Sequence, residues 1–313
     1  MRTIFMGTPD FARSVAEALE ERGFDLVAVV TQPDKVSGRG MALKAPPVKV
    51  WAQERGIPVY QPFRVREESF VEQMRQLEPG LIVTAAFGQI IPQSILDIPA
   101  YGSINIHASL LPKYRGASPI QQALFDGERE TGITVMYMSA GMDEGDMILQ
   151  RTIPIERQDN AGTLFEKLAE EAKLAVGDYA DLLQRRKPEG IPQEHTKATY
   201  CKKIEKEQGN INWQMDAERI ENIVRAMTPS PGAYTFYRNK RIKLIRVEAQ
   251  SASAAAQPGS IAVVERDAIT IACGSGSLRV SVLQPEGKTV QSAEAFINGY
   301  RPEKGEQMES EKK

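Results

Sequence analysis

Hydrophobic positions in the first half of the chain switch between two periods. Residues 2–6, RTIFM, read as a short strand. Beyond Gly7, residues Phe11, Val15 and Leu19 recur at four-residue spacing, one face of a helix. Thr8 is expected to cap that helix, with Pro9 at its first position, where a missing N–H costs nothing, and Gly23 at its left-handed C-terminal cap. Residues 26–31 are near-continuously apolar, as in a parallel strand covered on both faces. Further strands are predicted at 58–60, 81–86, 102–107 and 133–138, with helices at 47–55, 68–77 and 119–125. Strands separated by helix-length segments imply βαβ units, hence an α/β fold with a doubly wound, mostly parallel sheet of Rossmann-like type. A long helix over 161–183 closes this domain.

The pattern changes after residue 184. The stretch 185–199, RRKPEGIPQEHTKAT, carries two prolines, a glycine and scattered charge, the composition of a linker. Beyond it come a helix at 217–227 and short strands at 233–237, 242–247, 260–264, 268–272 and 278–283, the spacing of a small β-barrel. Residues 250–259 read as a loop. The expected organisation is an α/β domain over 1–184, a linker over 185–206 and a barrel domain over 207–313, and a length of 313 residues suits two domains.

Composition narrows the class. A hydrophobic share of 42% and a charged share of 26% are those of an ordinary globular chain. No apolar run approaches the roughly 18 residues of a membrane span, and the N-terminal strand lacks the longer apolar core of a signal peptide. Two cysteines and two histidines are too few for a disulfide framework or a His/Cys metal site. A soluble, cytoplasmic protein without a metal is expected. Net charge of −2 argues against bulk affinity for nucleic acid, yet residues 197–250 hold eleven Lys/Arg against six acids, a local balance of 11 − 6 = +5. Such a stretch is either a solvated face or a local dock for a polyanion.

Two segments bear on chemistry. Gly7-Thr8-Pro9-Asp10 lacks the glycines that a dinucleotide pyrophosphate requires, so an ordinary helix entry is the better reading. Residues 102–112, GSINIHASLLP, are more informative. Alternation along a strand places Ile104 and Ile106 on one face and Ser103, Asn105 and His107 on the other. An amide and an imidazole thus point together at the strand's C-terminal end, where doubly wound sheets bind ligands. An unpaired polar group buried there would cost about 1–3 kcal/mol. Both groups can hydrogen-bond an oxyanion in acyl transfer, and the imidazole can also move a proton. A carboxylate should support it, and Asp143, Glu144 and Asp146, just past the next strand, are three candidates. There is no G-x-S-x-G elbow and no Cys–His pair, so the substrate is expected to bring its own nucleophile.

SINIHASLLPKYRGASPIQQAL (103–124), ETGIT (130–134) and GMDEGDMI (141–148) closely resemble the formyltransferase family that uses 10-formyltetrahydrofolate. TQPDKVSGRGMALKAPPVK (31–49) and the C-terminal half are similar to its tRNA-directed members. The resemblance implies a catalytic trio of Asn105, His107 and Asp143. It implies a tetrahydrofolate-binding segment at Ser109, Leu110, Leu111 and Pro112, and a pterin-pocket loop at Phe87, Gly88, Gln89 and Ile90. It also implies an OB-fold-like C-terminal barrel. The expected activity is formyl transfer from 10-formyltetrahydrofolate to the α-amino group of methionine on initiator methionyl-tRNA, by a monomer. The 31–49 loop holds Lys35, Arg39, Lys44 and Lys49 against Asp34, a balance of 4 − 1 = +3, and glycines flank Arg39. Lys35, Arg39, Lys44, Lys203, Lys206, Arg238, Lys240, Arg241 and Lys243 are the expected tRNA contacts. A formyl-folate hydrolase or a small-amine transformylase would share the trio but needs neither loop nor barrel. An intact trio argues against a silent RNA-binding module.

Overall fold

The computed structural model describes all residues except 38–41, 253–255 and 312–313. They form two compact units, one of Met1–Pro119, Glu130–Pro154 and Phe165–Cys201, the other of Ile120–Arg129, Ile155–Leu164 and Lys202–Lys313. The residues read as a linker therefore belong to the first unit as far as Cys201.

From the N-terminus the chain forms β1 (Arg2–Gly7), α1 (Asp10–Glu21), β2 (Asp25–Val30), β3 (Lys35–Ser37), β4 (Ala42–Lys44), α2 (Pro47–Glu54) and β5 (Val59–Tyr60). Next come α3 (Glu68–Gln76), β6 (Leu81–Ala85), α4 (Gln93–Leu96), β7 (Ser103–His107), β8 (Arg115–Gly116), α5 (Pro119–Phe125), β9 (Glu130–Tyr137), β10 (Met147–Pro154), α6 (Ala161–Arg185) and β11 (Tyr200–Cys201). The main sheet of the first unit has the order β10-β9-β7-β6-β1-β2-β5. Its strands from β5 to β7 are parallel, while β9 and β10 run antiparallel at one edge. This is the doubly wound sheet that the strand–helix alternation predicts, and strand order reverses between β1 and β6. The crevice above such a reversal, at the carboxyl ends of the strands, is where these sheets take ligands.

Three local details depart from the sequence pattern. Thr8 does not cap α1. Pro9 takes the capping position with no side-chain bond, and the Thr8 hydroxyl instead donates to the Phe87 carbonyl at 3.1 Å, joining the ends of β1 and β6. The stretch 32–46 is not wholly loop, because β3 and β4 pair as a small antiparallel hairpin. Lys49, counted with that loop's charge, is tied to Asp34 at 2.8 Å. The Gln61 amide and then Lys49 hold the Asp34 carboxyl below its usual range. Strand β10 is outside the predicted strands: Gln150, Thr152 and Pro154 at its alternate positions are exposed, and it ends on that proline. The far end of α1 does follow the prediction: Gly23 has φ +77°, and Phe24 N–H reaches back to Leu19 O at 3.1 Å.

The second unit contains α7 (Ala217–Met227), β12 (Ala233–Tyr237), β13 (Lys240–Gln250), β14 (Ile261–Val264), β15 (Ile269–Ala272), β16 (Ser277–Pro285), β17 (Gln291–Ser292), α8 (Ala293–Tyr300) and β18 (Met308–Glu309). Its antiparallel sheet has the order β14-β15-β16-β13-β12-β18, with β17 on β16. The two edge strands then meet: Ser260 bridges Gln307, Ile261 N–H donates to Glu306 O and Met308 N–H to Gly259 O, each at 2.8 Å. That contact draws the two ends of the curled sheet together as a half-barrel. Among the described residues no helix is long and apolar enough to cross a membrane.

Candidate active site

Strand β7 places Asn105 beside Thr84 of β6 and Met136 of β9. The Asn105 amide contacts Asp143 Oδ1 at 3.4 Å on one side and the Thr84 hydroxyl at 2.9 Å on the other. A carboxylate only accepts, so Nδ2 must face Asp143, and Thr84 then donates to Oδ1. The orientation of the amide is thereby settled, with an N–H₂ group presented at the carboxyl end of the sheet.

His107 is 6% exposed. Its Nε2 lies 2.9 Å from the Tyr114 carbonyl, and its Nδ1 faces Asp143 Oδ2 at 3.7 Å. A carbonyl has no proton to give, so Nε2 carries one. Nδ1 is left as the nitrogen that can gain or lose a proton, with a carboxylate opposite. Asp143 Oδ2 also accepts the Gly116 N–H at 2.8 Å. Among the described residues no ion pair joins Glu144 or Asp146 to the imidazole, so of the three candidate carboxylates Asp143 is the one brought to it.

The backbone around this corner is constrained. Asp143 has φ +50°, a left-handed conformation that costs a non-glycine residue about 1–3 kcal/mol. A Cβ on Gly145 would overlap the Tyr137 carbonyl, and one on Gly116, at φ +115°, would overlap that of Cys201. Strand β11 pairs with β8, so the end of the supposed linker lies against the segment that holds Asp143. Cys201 Sγ lies 3.4 Å from the Arg115 carbonyl, and desolvation pushes its thiol up, which leaves it a poor nucleophile.

The segment proposed for folate is shaped by its main chain. Ser109 is buried and donates to Lys113 O at 2.7 Å. The Thr134 hydroxyl donates to Ser109 O and accepts from Leu111 N–H, and Gln150 donates to Leu111 O at 2.9 Å. Leu111 is buried, while Leu110 and Pro112 are half-exposed. In the other loop, Phe87 packs into the core below the sheet, and Gly88 takes φ +87°. Gln89 is spent on Val65 N–H and Pro62 O, whereas Ile90 is 80% exposed. A cavity of about 420 Å³ is lined by Arg64, Val65, Arg66, Gln89, Ile90 and Pro92, and neither the 109–112 segment nor the trio borders it.

The expected tRNA contacts divide. Lys35 and Lys44 are exposed on the β3–β4 hairpin, and Arg39 lies outside the described residues. In the second unit, Lys203, Lys206, Lys240 and Arg241 are exposed. Arg241 lies over the Tyr234 ring at 5.5 Å and pairs across the strands with Phe236. Arg238, in the β12–β13 turn, is tied to Glu306 at 2.7 Å and to Tyr300 O, and Lys243 donates to Pro231 O at 2.8 Å. The last two already have partners inside the unit.

Sequence reasoning did not find Thr84, the Tyr114 carbonyl, Gly116, Arg115 or Gln193. Thr84 had a signal, being the polar residue in the apolar run LIVTA, level with Asn105. Gln193, inside a stretch read as linker, had none.

A doubly wound sheet with an amide, an imidazole and a carboxylate at its ligand edge, followed by a curled antiparallel sheet, suits an acyl-group transferase, and the comparisons with known proteins give the same class. The family described as formyl transferase matches residues 1–179, and its C-terminal domain matches residues 203–301. This chain belongs to that family. Among its relatives is the methionyl-tRNA formyltransferase of Geobacter metallireducens, 49% identical over 302 residues and 96% of each chain. That of Geobacillus thermodenitrificans is 46% identical, covering 95% of this chain and 93% of the relative. Of solved structures, the sugar 3N-formyl transferase WlaRD superposes with TM-score 0.68 at 18% identity, covering 92% of this chain and 99% of its own. HypX from Aquifex aeolicus in complex with tetrahydrofolic acid gives 0.61 at 18%, over 96% of this chain and 47% of its own.

Proposed function

We propose that this protein transfers a formyl group from 10-formyltetrahydrofolate to the α-amino group of methionine on initiator methionyl-tRNA. The observation that carries the reading is the convergence of Asn105, His107 and Asp143 at the carboxyl end of β7, on a chain so similar to methionyl-tRNA formyltransferases. The residues present fit a flat, partly polar donor. Leu110, Pro112 and Ile90 offer apolar surface, and the 109–112 main chain is held in place. When bound, the donor supplies a formyl carbon already activated on nitrogen.

The chain's own groups do the rest. Asn105 Nδ2, its orientation fixed by Asp143, donates to the formyl oxygen as it gains charge. His107 is anchored through Nε2 and exchanges a proton at Nδ1 with the attacking amine and the departing nitrogen. Asp143 faces that proton and stabilises the charged ring. Lys203, Lys206, Lys240 and Arg241, with Lys35, Arg39 and Lys44, attract tRNA phosphate through long-range charge. Labelled formyl should pass from 10-formyltetrahydrofolate to charged initiator tRNA and not to glycinamide ribonucleotide. Transfer to the small amine alone would refute the tRNA assignment.

A further inference from the structure

Gln193 lies eight residues beyond the end of α6, yet its side chain is 4% exposed. Its Nε2 donates to Asp143 O at 2.9 Å and to Gly145 O at 2.8 Å. Its Oε1 accepts from Arg115 Nε at 3.1 Å and Nη2 at 2.7 Å. Carbonyls only accept and a guanidinium only donates, so the amide can be oriented in one way. Both its hydrogens and its oxygen are fully used.

Arg115 is itself 1% exposed, and it also contacts His195 Nδ1, at 3.3 Å, and Tyr200 Oη, at 3.4 Å. The residue after it, Gly116, supplies the N–H that holds Asp143 Oδ2. A closed circuit results. Residue 115 grips the Asp143 main chain through Gln193, and residue 116 grips the Asp143 carboxylate directly. A left-handed aspartate held at both ends keeps its carboxylate opposite His107; freed from Gln193, its backbone can relax to negative φ and carry the carboxylate away.

We infer that Gln193 is a positioning residue for the reaction, setting the backbone of Asp143 through the Arg115–Gln193 pair. The inference rests on the proposed roles of Asn105, His107 and Asp143. It does not follow from burial alone, because a packing role would not require both amide hydrogens to end on the carbonyls that flank Glu144.

The test uses the full chain. Gln193→Ala removes the side chain, whereas Gln193→Glu keeps an acceptor for Arg115, replaces the two donors with an oxygen and adds a charge that Arg115 answers. Both variants should lower kcat by roughly 10–100-fold, the scale of a small misplacement of a catalytic group, with KM for either substrate within about twofold. The Gly116 amide proton reports the Asp143 contact directly. Labelling arginine carbonyl carbon and glycine nitrogen together leaves four Arg–Gly pairs to assign, at residues 23, 40, 56 and 116. In both variants the Gly116 resonance should move toward its position in Asp143→Asn. A lowered Tm with wild-type kcat would overturn the inference, as would a reduced kcat with an unmoved Gly116 resonance. Should Gln193→Ala not fold, Gln193→Glu decides by the same readouts. If the wild-type protein transfers no formyl group, the functional reading falls, while the Gly116 resonance still decides whether Gln193 sets Asp143.

Discussion

Asp143 and Arg238 are both charged residues in left-handed backbone, at φ +50° and +47°, one in each unit. Their surroundings differ. Arg238 sits in a two-residue hairpin turn, and its charge is answered by Glu306, by the Tyr300 carbonyl and by the Tyr237 ring at 4.9 Å. Asp143 receives one short hydrogen bond, from Gly116, one long one, from Asn105, and otherwise faces the His107 imidazole. The first arrangement uses its charge up inside the fold. The second fixes the position of a carboxylate while leaving it opposite His107, as the catalytic role proposed for Asp143 requires.

The largest effects should come from the trio. Asp143→Asn and His107→Ala should each lower kcat by about 10²–10³, as loss of one preorganised donor or proton carrier does, with circular dichroism unchanged. Arg238→Ala should leave kcat alone and cost at most about 1 kcal/mol in denaturant unfolding, the scale of a half-exposed pair. A loss of turnover at Arg238 larger than that at Asp143 would reverse the comparison. Second in size is tRNA affinity. Replacing Lys203, Lys206 and Arg241 with alanine should weaken binding and flatten its log–log salt dependence by about 0.7–0.9 for each phosphate no longer neutralised, whereas Arg238→Ala should leave the slope unchanged.

Thr84→Val should have a smaller effect, because it frees the Asn105 amide without removing it. One hydrogen bond of about 0.5–1.5 kcal/mol predicts at most about a tenfold fall in kcat, and a wild-type rate would show that Asp143 alone orients the amide. The smallest effect is on stability against pH. Desolvation on α7 raises the Glu221 carboxyl above its ordinary 4.5. Its folded form therefore binds a proton more readily than its unfolded form, so stability is lost as pH rises from 4.5 through the folded value. Glu221→Gln should show a slightly higher Tm than the wild type at neutral pH and no advantage at lower pH, and a lower Tm at pH 7 would show that its attraction to Arg157 and Arg225 dominates.

Alternation of side chains along 102–107 made Asn105 and His107 legible as a pair before any coordinates, and the apolar runs of β1, β2 and β6 made the sheet legible. Both signals are local and periodic. The selection of Asp143 over Glu144 and Asp146 needed family resemblance first, because three carboxylates in one turn are equivalent until the backbone aims them. Thr84, Arg115 and Gln193 act through contacts between residues 21 to 78 positions apart, and no window of sequence contains them. Helix α8 was missed although Ser292 caps it through the Ala295 N–H, since the apolar face it buries is short.

The pairing of β11 with β8 bears on where this chain can be cut. Thr199 O receives the Arg115 N–H at 2.9 Å, and Cys201 O receives that of Ala117 at 3.1 Å. A fragment stopping at residue 186 would leave those amides without partners and discard Gln193, although every residue of the trio remains. A graft of a foreign C-terminal module should therefore keep the native chain at least through Cys201. A protease that nicks the chain between α6 and β11 should leave activity intact only while the severed strand stays annealed.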